Sequence, residues 1–169
     1  MRDLLHQIEL GLQANLYYLS LIAALSVPDM CAALSSPDGK TTRIKYAAWF
    51  DQNVAPKYHG NLDGQTCYQF RCSLLHEGST QHSRSPYTRV FFLEPGTNSN
   101  IFHNCLFTHS TATALNIDIR FFCIDMVRSA ESWLALNEST PTFQTNFPKF
   151  IQRYPNGITP YVLGTPVIG

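Results

Sequence analysis

A chain of 169 residues, 44% hydrophobic and 12% aromatic, has the length of one domain and enough apolar side chains for a core, which excludes a disordered protein. Only 14% of the residues are charged, and twelve basic side chains balance twelve acidic ones. That zero net charge excludes a general electrostatic binder of nucleic acid and gives no DNA signal, although a local basic patch is still allowed.

Leu4, Leu5, Ile8, Leu12, Leu16, Leu19 and Ile22 recur at helical spacing, so the first 25 residues read as one long amphipathic helix. Pro28 cannot donate a backbone N–H to a continuing helix, so a break is expected at 26–29, with a short new helix over 28–35. The turn Ser36-Pro37-Asp38-Gly39 follows. Thr41 or Thr42 can cap a third helix that carries Ile44, Ala47, Ala48, Trp49 and Phe50. Pro56 and Gly60 close that unit. A fourth helix is predicted from Asp63 to Glu77, with Gly78 placed to end it in a left-handed conformation.

After Gly78 the composition changes. A polar stretch carrying His82 and Arg84 leads to Tyr87–Leu93, whose residues favour a strand. With a turn at 94–100, Ile101–Phe107 is expected to pair back, giving a β-hairpin insertion over 87–107. Asn116 reads as the N-cap of a strong helix running to Leu136, and Thr140-Pro141 opens a shorter one towards Arg153. Three prolines and three glycines at the end of the chain predict an extended tail over 154–169. No repeat, low-complexity tract or linker divides the chain, so residues 1–169 read as a single, mainly α domain.

Five cysteines (Cys31, Cys67, Cys72, Cys105 and Cys123) are an odd number without a CxxC pair, which fits reduced and mostly buried thiols. Met1–His6 lacks the apolar core of a signal peptide, and the apolar run Leu16–Leu25 is about half of a membrane span. A cytoplasmic protein with no membrane partner is therefore expected. His103, Cys105 and His109 lack paired zinc-ligand spacing, and no Gly-rich phosphate loop is present, so no metal and no cofactor are expected.

The concentrated chemical signal is Arg71-Cys72-Ser73-Leu74-Leu75-His76. At about 100° per residue, Cys67, Phe70, Leu74 and Gly78 flank Arg71 on one side and Tyr68 and Leu75 on the other. Arg71 thus sits in the apolar stripe of its own helix. A cation placed there must be paired, lie at a subunit interface or face a cleft, because an isolated buried guanidinium is too costly. His76 lies about 140° round the same ideal helix and about 7.5 Å along it, so only a second copy or a distorted last turn brings the two together.

A helical domain with this R-x4-H spacing resembles the HEPN superfamily, small helical bundles that include metal-independent ribonucleases of toxin and antiviral systems. The likeness covers residues 1–78 and 116–137. It implies a homodimer whose two copies of Arg71 and His76 line one cleft, and an RNA substrate cleaved through a 2′,3′-cyclic phosphate. It also implies a role in defence or stress, with an antitoxin or other protein as partner. The family often has a polar residue after the arginine, where this chain has Cys72. Under that reading His76 serves as acid or base and Arg71 holds charge on the phosphoryl group. Ser73, Arg84 and Arg89 are candidates to hold flanking phosphates.

Two rival readings stand beside it. In the first, the same fold is a non-catalytic interaction or regulatory domain: Arg71 is paired with Asp29, Asp51 or Asp125, and His76 is an ordinary helix-end cation. In the second, the protein binds a small ligand through its apolar hairpin and tail, near Phe91, Phe102 or Tyr161.

Overall fold

The computed structural model describes residues 1–81, 83–96, 98 and 101–169. His82, Thr97, Ser99 and Asn100 lie outside the described residues, and with them part of the turn expected at 94–100. The protein is mainly α-helical, with small sheets.

The first apolar stripe folds as two helices instead of one. α1 (Arg2–Gln13) ends at Ala14, and Asn15 takes a left-handed φ of 59°, which a short amide side chain tolerates. α2 (Tyr17–Ser35) packs on α1, where the Ser20 hydroxyl donates to the Ile8 carbonyl at 3.2 Å. The break expected at Pro28 is absent, and α2 runs through it to Ser35. Proline removes one backbone hydrogen bond. Leu25, Val27 and Cys31 around it are nevertheless 0% exposed, and packing of α2 on α1, α3 and α5 keeps the chain helical.

α3 (Arg43–Asn53) begins at Thr42, whose hydroxyl accepts from the Lys45 N–H at 3.2 Å. A 3₁₀ turn at Ala55–Tyr58 follows. α4 (Gly64–Cys72) is capped by Asp63, which accepts from the Thr66 N–H at 2.7 Å. α3 and α4 approach closely. A Cβ at Gly64 would lie 2.3 Å from the Ala47 carbonyl oxygen, so glycine is what lets the two backbones meet. The last turn of the predicted fourth helix widens into a π turn at Ser73–Glu77, and Gly78 ends it left-handed as expected.

The hairpin expected over 87–107 does not form. β1 (Arg89–Leu93) pairs in parallel with β3 (Ala112–Asp118), and β2 (Cys105–His109) pairs antiparallel with the same strand, giving the order β1-β3-β2. Burial explains the arrangement. Leu115 and Ile117 of β3 are 0% exposed, whereas β2 has no buried residue, so the strand with the apolar inner face takes the centre. β3 takes in Asn116, read from the sequence as a helix cap. The cap is Asp118, which accepts from the N–H groups of Arg120 and Phe121 at 2.9 and 3.4 Å and opens α5 (Ile119–Asn137).

Phe122, Cys123, Met126, Val127 and Ala130 of α5 are 0% exposed and form the far wall of the core. Thr140 caps α6 (Pro141–Asn146), shorter than expected, and a 3₁₀ turn at Phe147–Lys149 continues it. The Asn146 amide donates to the carbonyls of Leu34 and Ser36 at 3.2 and 2.8 Å, tying α6 to the end of α2. The tail is folded rather than simply extended. β4 (Arg153–Tyr154) pairs with β7 (Val167–Ile168), and between them β5 (Gly157–Ile158) pairs with β6 (Val162–Leu163).

Candidate functional site

Arg71 occupies the last turn of α4 among the side chains expected around it: Cys67, Phe70 and Leu74 are 1%, 5% and 7% exposed. Its charge is paired. Arg71 Nε donates to Asp29 Oδ2 at 3.0 Å, and the two side chains retain 22% and 15% of their exposure. Of the three candidate acids, the structure selects Asp29. Asp51 accepts from the Gly64 N–H at 2.6 Å, and Asp125 pairs with Lys57 at 3.2 Å. The uninterrupted α2 is what carries Asp29 here, one residue beyond the proline read as a helix break.

The Thr41 hydroxyl donates to the second Asp29 oxygen at 3.2 Å, so one carboxylate joins α4 to the loop before α3. Burial raises the Asp29 pKa and outweighs the opposing pull of Arg71 and Thr41. For Arg71, burial works against the charge, but Asp29 prevails and keeps the guanidinium protonated above its ordinary range. Tyr46 forms the floor beneath. It is fully buried, its hydroxyl donates to the Leu25 carbonyl at 3.1 Å, and its oxygen lies 3.4 Å from Cys67 Sγ. Burial pushes the Cys67 thiol up to about 12, so it stays protonated at neutral pH.

The π turn then places His76. In an ideal α-helix residues five apart diverge by about 140°. The wider i→i+5 turn takes up that excess. His76 Nε2 consequently lies 3.2 Å from Arg71 Nη1 within one chain. A guanidinium can only donate, so Nε2 is the acceptor in this contact. Arg71 uses two of its five N–H groups on Asp29 and His76, leaving three for a ligand.

The phosphate-holding candidates fare differently. Ser73 is only 1% exposed, inside the π turn, and its hydroxyl has no hydrogen-bond partner among the described residues. It lies on the face of α4 that also buries Thr66, Gln69 and Phe70, and so points into the protein and not towards a surface phosphate. Arg84 is exposed in the loop beyond Gly78. Arg89 begins β1, where its Nη2 and Nε reach the Gln81 amide oxygen at 3.1 and 3.2 Å when that amide is oriented to accept. No measured contact joins either arginine to Arg71 or His76 among the described residues.

Other sequence candidates resolve into structure. His103 Nδ1 accepts from the Asp118 N–H at 3.2 Å, and its ring packs on Tyr58 and Phe121. Among the described residues no group of three metal-ligating side chains converges. All five cysteines are free. α2 is long and apolar enough to cross a membrane, yet half of that window is buried within the bundle. A cavity of about 760 Å³ lies away from Arg71, lined by Met30, Leu134, Phe143, Phe147 and Ile168 among others. Phe91 lines a smaller one of about 230 Å³, and Phe102 and Tyr161 line neither.

Fold and site together define a mainly α-helical protein with a guanidinium–imidazole pair, buttressed by a carboxylate, at the end of its fourth helix. No family model matches the chain, and neither does any curated protein or solved structure.

Proposed function

We propose that this protein is a metal-independent endoribonuclease of the HEPN type, a cytoplasmic homodimer serving defence or stress and cleaving RNA through a 2′,3′-cyclic phosphate. The observation that carries the reading is the π turn that brings His76 Nε2 to 3.2 Å from Arg71 Nη1. π turns of this kind recur at functional sites, where they re-aim a side chain. RNA brings its own nucleophile, so the protein has only to move two protons and hold charge.

A neutral imidazole suits the first step. His76 Nε2 exchanges its contact with Arg71 Nη1 for the 2′-hydroxyl and takes that proton as the oxygen bonds to phosphorus. The P–O5′ bond then breaks, and the 5′-oxygen takes a proton from the imidazolium of a second copy. Arg71 donates its remaining N–H groups to the non-bridging oxygens, where charge builds. Asp29 positions that guanidinium through Nε and leaves the Nη groups to the ligand. In a symmetric dimer, two such pairs supply both the base and the acid. An antitoxin is the expected protein partner.

The Arg71–Asp29 ion pair is the observation that favours the second reading, a non-catalytic interaction or regulatory domain in which Arg71 and His76 hold the helix end. One experiment separates the two. Purified protein is incubated with single-stranded RNA in EDTA, and the ends are analysed. The nuclease reading expects cyclic-phosphate ends, and a loss of about 10²–10⁴ in rate for His76→Ala and Arg71→Lys with thermal midpoints unchanged. If wild-type protein cuts no RNA and the variants only melt earlier, the pair is structural.

A further inference from the structure

We infer that Lys40, on the loop that Asp29 ties to Arg71, and Arg43, at the start of α3, form the phosphate subsite that seats single-stranded RNA at this site; the inference rests on the nuclease reading above. Asp29 accepts from Thr41 on one oxygen and from Arg71 on the other, at 3.2 and 3.0 Å. A residue advances the chain by at most about 3.6 Å, so the backbones of Lys40 and Arg43 lie within about 4 and 7 Å of Thr41. Both side chains project from the structure that anchors the reactive pair.

The loop is held in shape, so these cations are presented and not merely tethered. Asp38 accepts from the Lys40 N–H at 3.1 Å, and the Gly39 N–H donates to the Ser36 carbonyl at 3.0 Å. Lys45 Nζ closes the loop by donating to Asp38 at 3.0 Å and to the Lys40 carbonyl at 2.9 Å. The bond from Lys45 lowers the Asp38 pKa, so that carboxylate is spent on Lys45. Lys40 and Arg43 are exposed, and neither side chain has a hydrogen-bond or acidic partner among the described residues. In a chain of zero net charge, this segment carries Lys40, Arg43 and Lys45 close to Arg71, and the acidic side chains paired with these four among the described residues are Asp29 and Asp38.

That local excess is what a polyanion reads, and single-stranded binding rests mainly on such backbone contacts. Arg89, by contrast, already meets Gln81. The antiparallel progression of α3 against α4 supports the placement. Ala47 meets Gly64, Tyr46 meets Cys67, and Thr41 shares Asp29 with Arg71. The next residues along this line are those of the loop.

The test measures binding of a fluorescein-labelled 2′-O-methyl oligouridine, which lacks the attacking hydroxyl, between 50 and 200 mM salt. A Lys40→Ala/Arg43→Ala protein is compared with wild type and with Arg128→Ala/Lys149→Ala, which removes equal charge from exposed positions elsewhere. Two lost phosphate contacts make the slope of log affinity against log salt shallower by about 1.4, or about sevenfold less weakening across that salt range. The control pair keeps the wild-type slope. An unchanged slope in Lys40→Ala/Arg43→Ala, with ordinary RNA still cut, overturns the subsite and leaves the nuclease reading standing. The expected slope change without any cleavage by wild type keeps the subsite and overturns the nuclease. Absence of both binding and cleavage overturns the two together.

Discussion

At the α3–α4 end of the molecule polar side chains are buried and bonded to one another, whereas in the hairpin of residues 153–169 apolar side chains stand in solvent. Tyr46 is 0% exposed and Asp29 has two partners, while Tyr161, Leu163 and Ile168 are 84%, 70% and 69% exposed. The first region owes its geometry to the whole bundle, since α2, α3 and α4 must all be in place for Asp29, Thr41 and Arg71 to meet. The second owes its geometry to its own backbone ladders. A site that depends on angles belongs in the first kind of region, where packing sets each rotamer. A surface that only has to adhere can be built from the second.

The sharpest way to break this contrast is Gly64→Ala. Its added Cβ cannot fit beside Ala47 without parting α3 from α4, and the expected cost is about 3 kcal/mol in urea unfolding. A value near zero would mean that the α3–α4 contact is loose and that Arg71 is not anchored as described. Asp29→Asn is next. It takes the counter-charge from a partly exposed Arg71 but also relieves a carboxylate that burial disfavours, so it is expected to cost no more than about 1 kcal/mol by the same measurement. If the nuclease reading holds, its cleavage rate falls by more than that stability loss accounts for.

Alkaline titration probes the same floor. The folded pKa of Cys67 lies near 12 against an ordinary 9.0, so its contribution is fully present below pH 9 and is lost as pH rises from 9 towards 12. The slope is about 1.4 kcal/mol per pH unit. Cys67→Ala should make the stability profile less steep by that amount, with the buried Cys123, also raised to about 12, keeping its own share and Tyr46 keeping its bond to Leu25. The smallest effect is expected in the other region: Tyr161→Ser should shift stability by less than about 0.5 kcal/mol in a thermal melt, because its ring is already in water. A large loss there would show that the hairpin packs on something in solution.

Much of the helical frame is legible from local chemistry. Thr42 and Thr140 as caps, Gly78 as a terminator and the apolar stripe from Phe122 to Leu134 are short-range signals, and the structure follows them. The sheet is not legible in the same way. The alternation of Thr113, Leu115 and Ile117 was the available sign of β3, but Asn116 within it also resembles a helix cap. Pro28 misleads for a related reason: its local cost is real, but the burial of Leu25, Val27 and Cys31 outweighs it.

At the candidate site, residue spacing alone singled out Arg71 and His76 and required a partner for the cation. It could not choose among Asp29, Asp51 and Asp125, and it gave no weight to Thr41, Lys40 or Arg43. Ser73, taken as a phosphate candidate, instead continues the buried stripe of Thr66, Gln69 and Phe70.

The order of residues by itself determined much of the helical frame, the caps at Thr42 and Thr140 and the conflict of a guanidinium set in an apolar stripe, because each of these follows from chemistry within a few residues. Only the tertiary structure decided which carboxylate resolves that conflict, which strand lies at the centre of the sheet and that the imidazole swings back to the arginine. Those outcomes depend on how much surface distant segments bury against one another, and no local preference encodes that quantity.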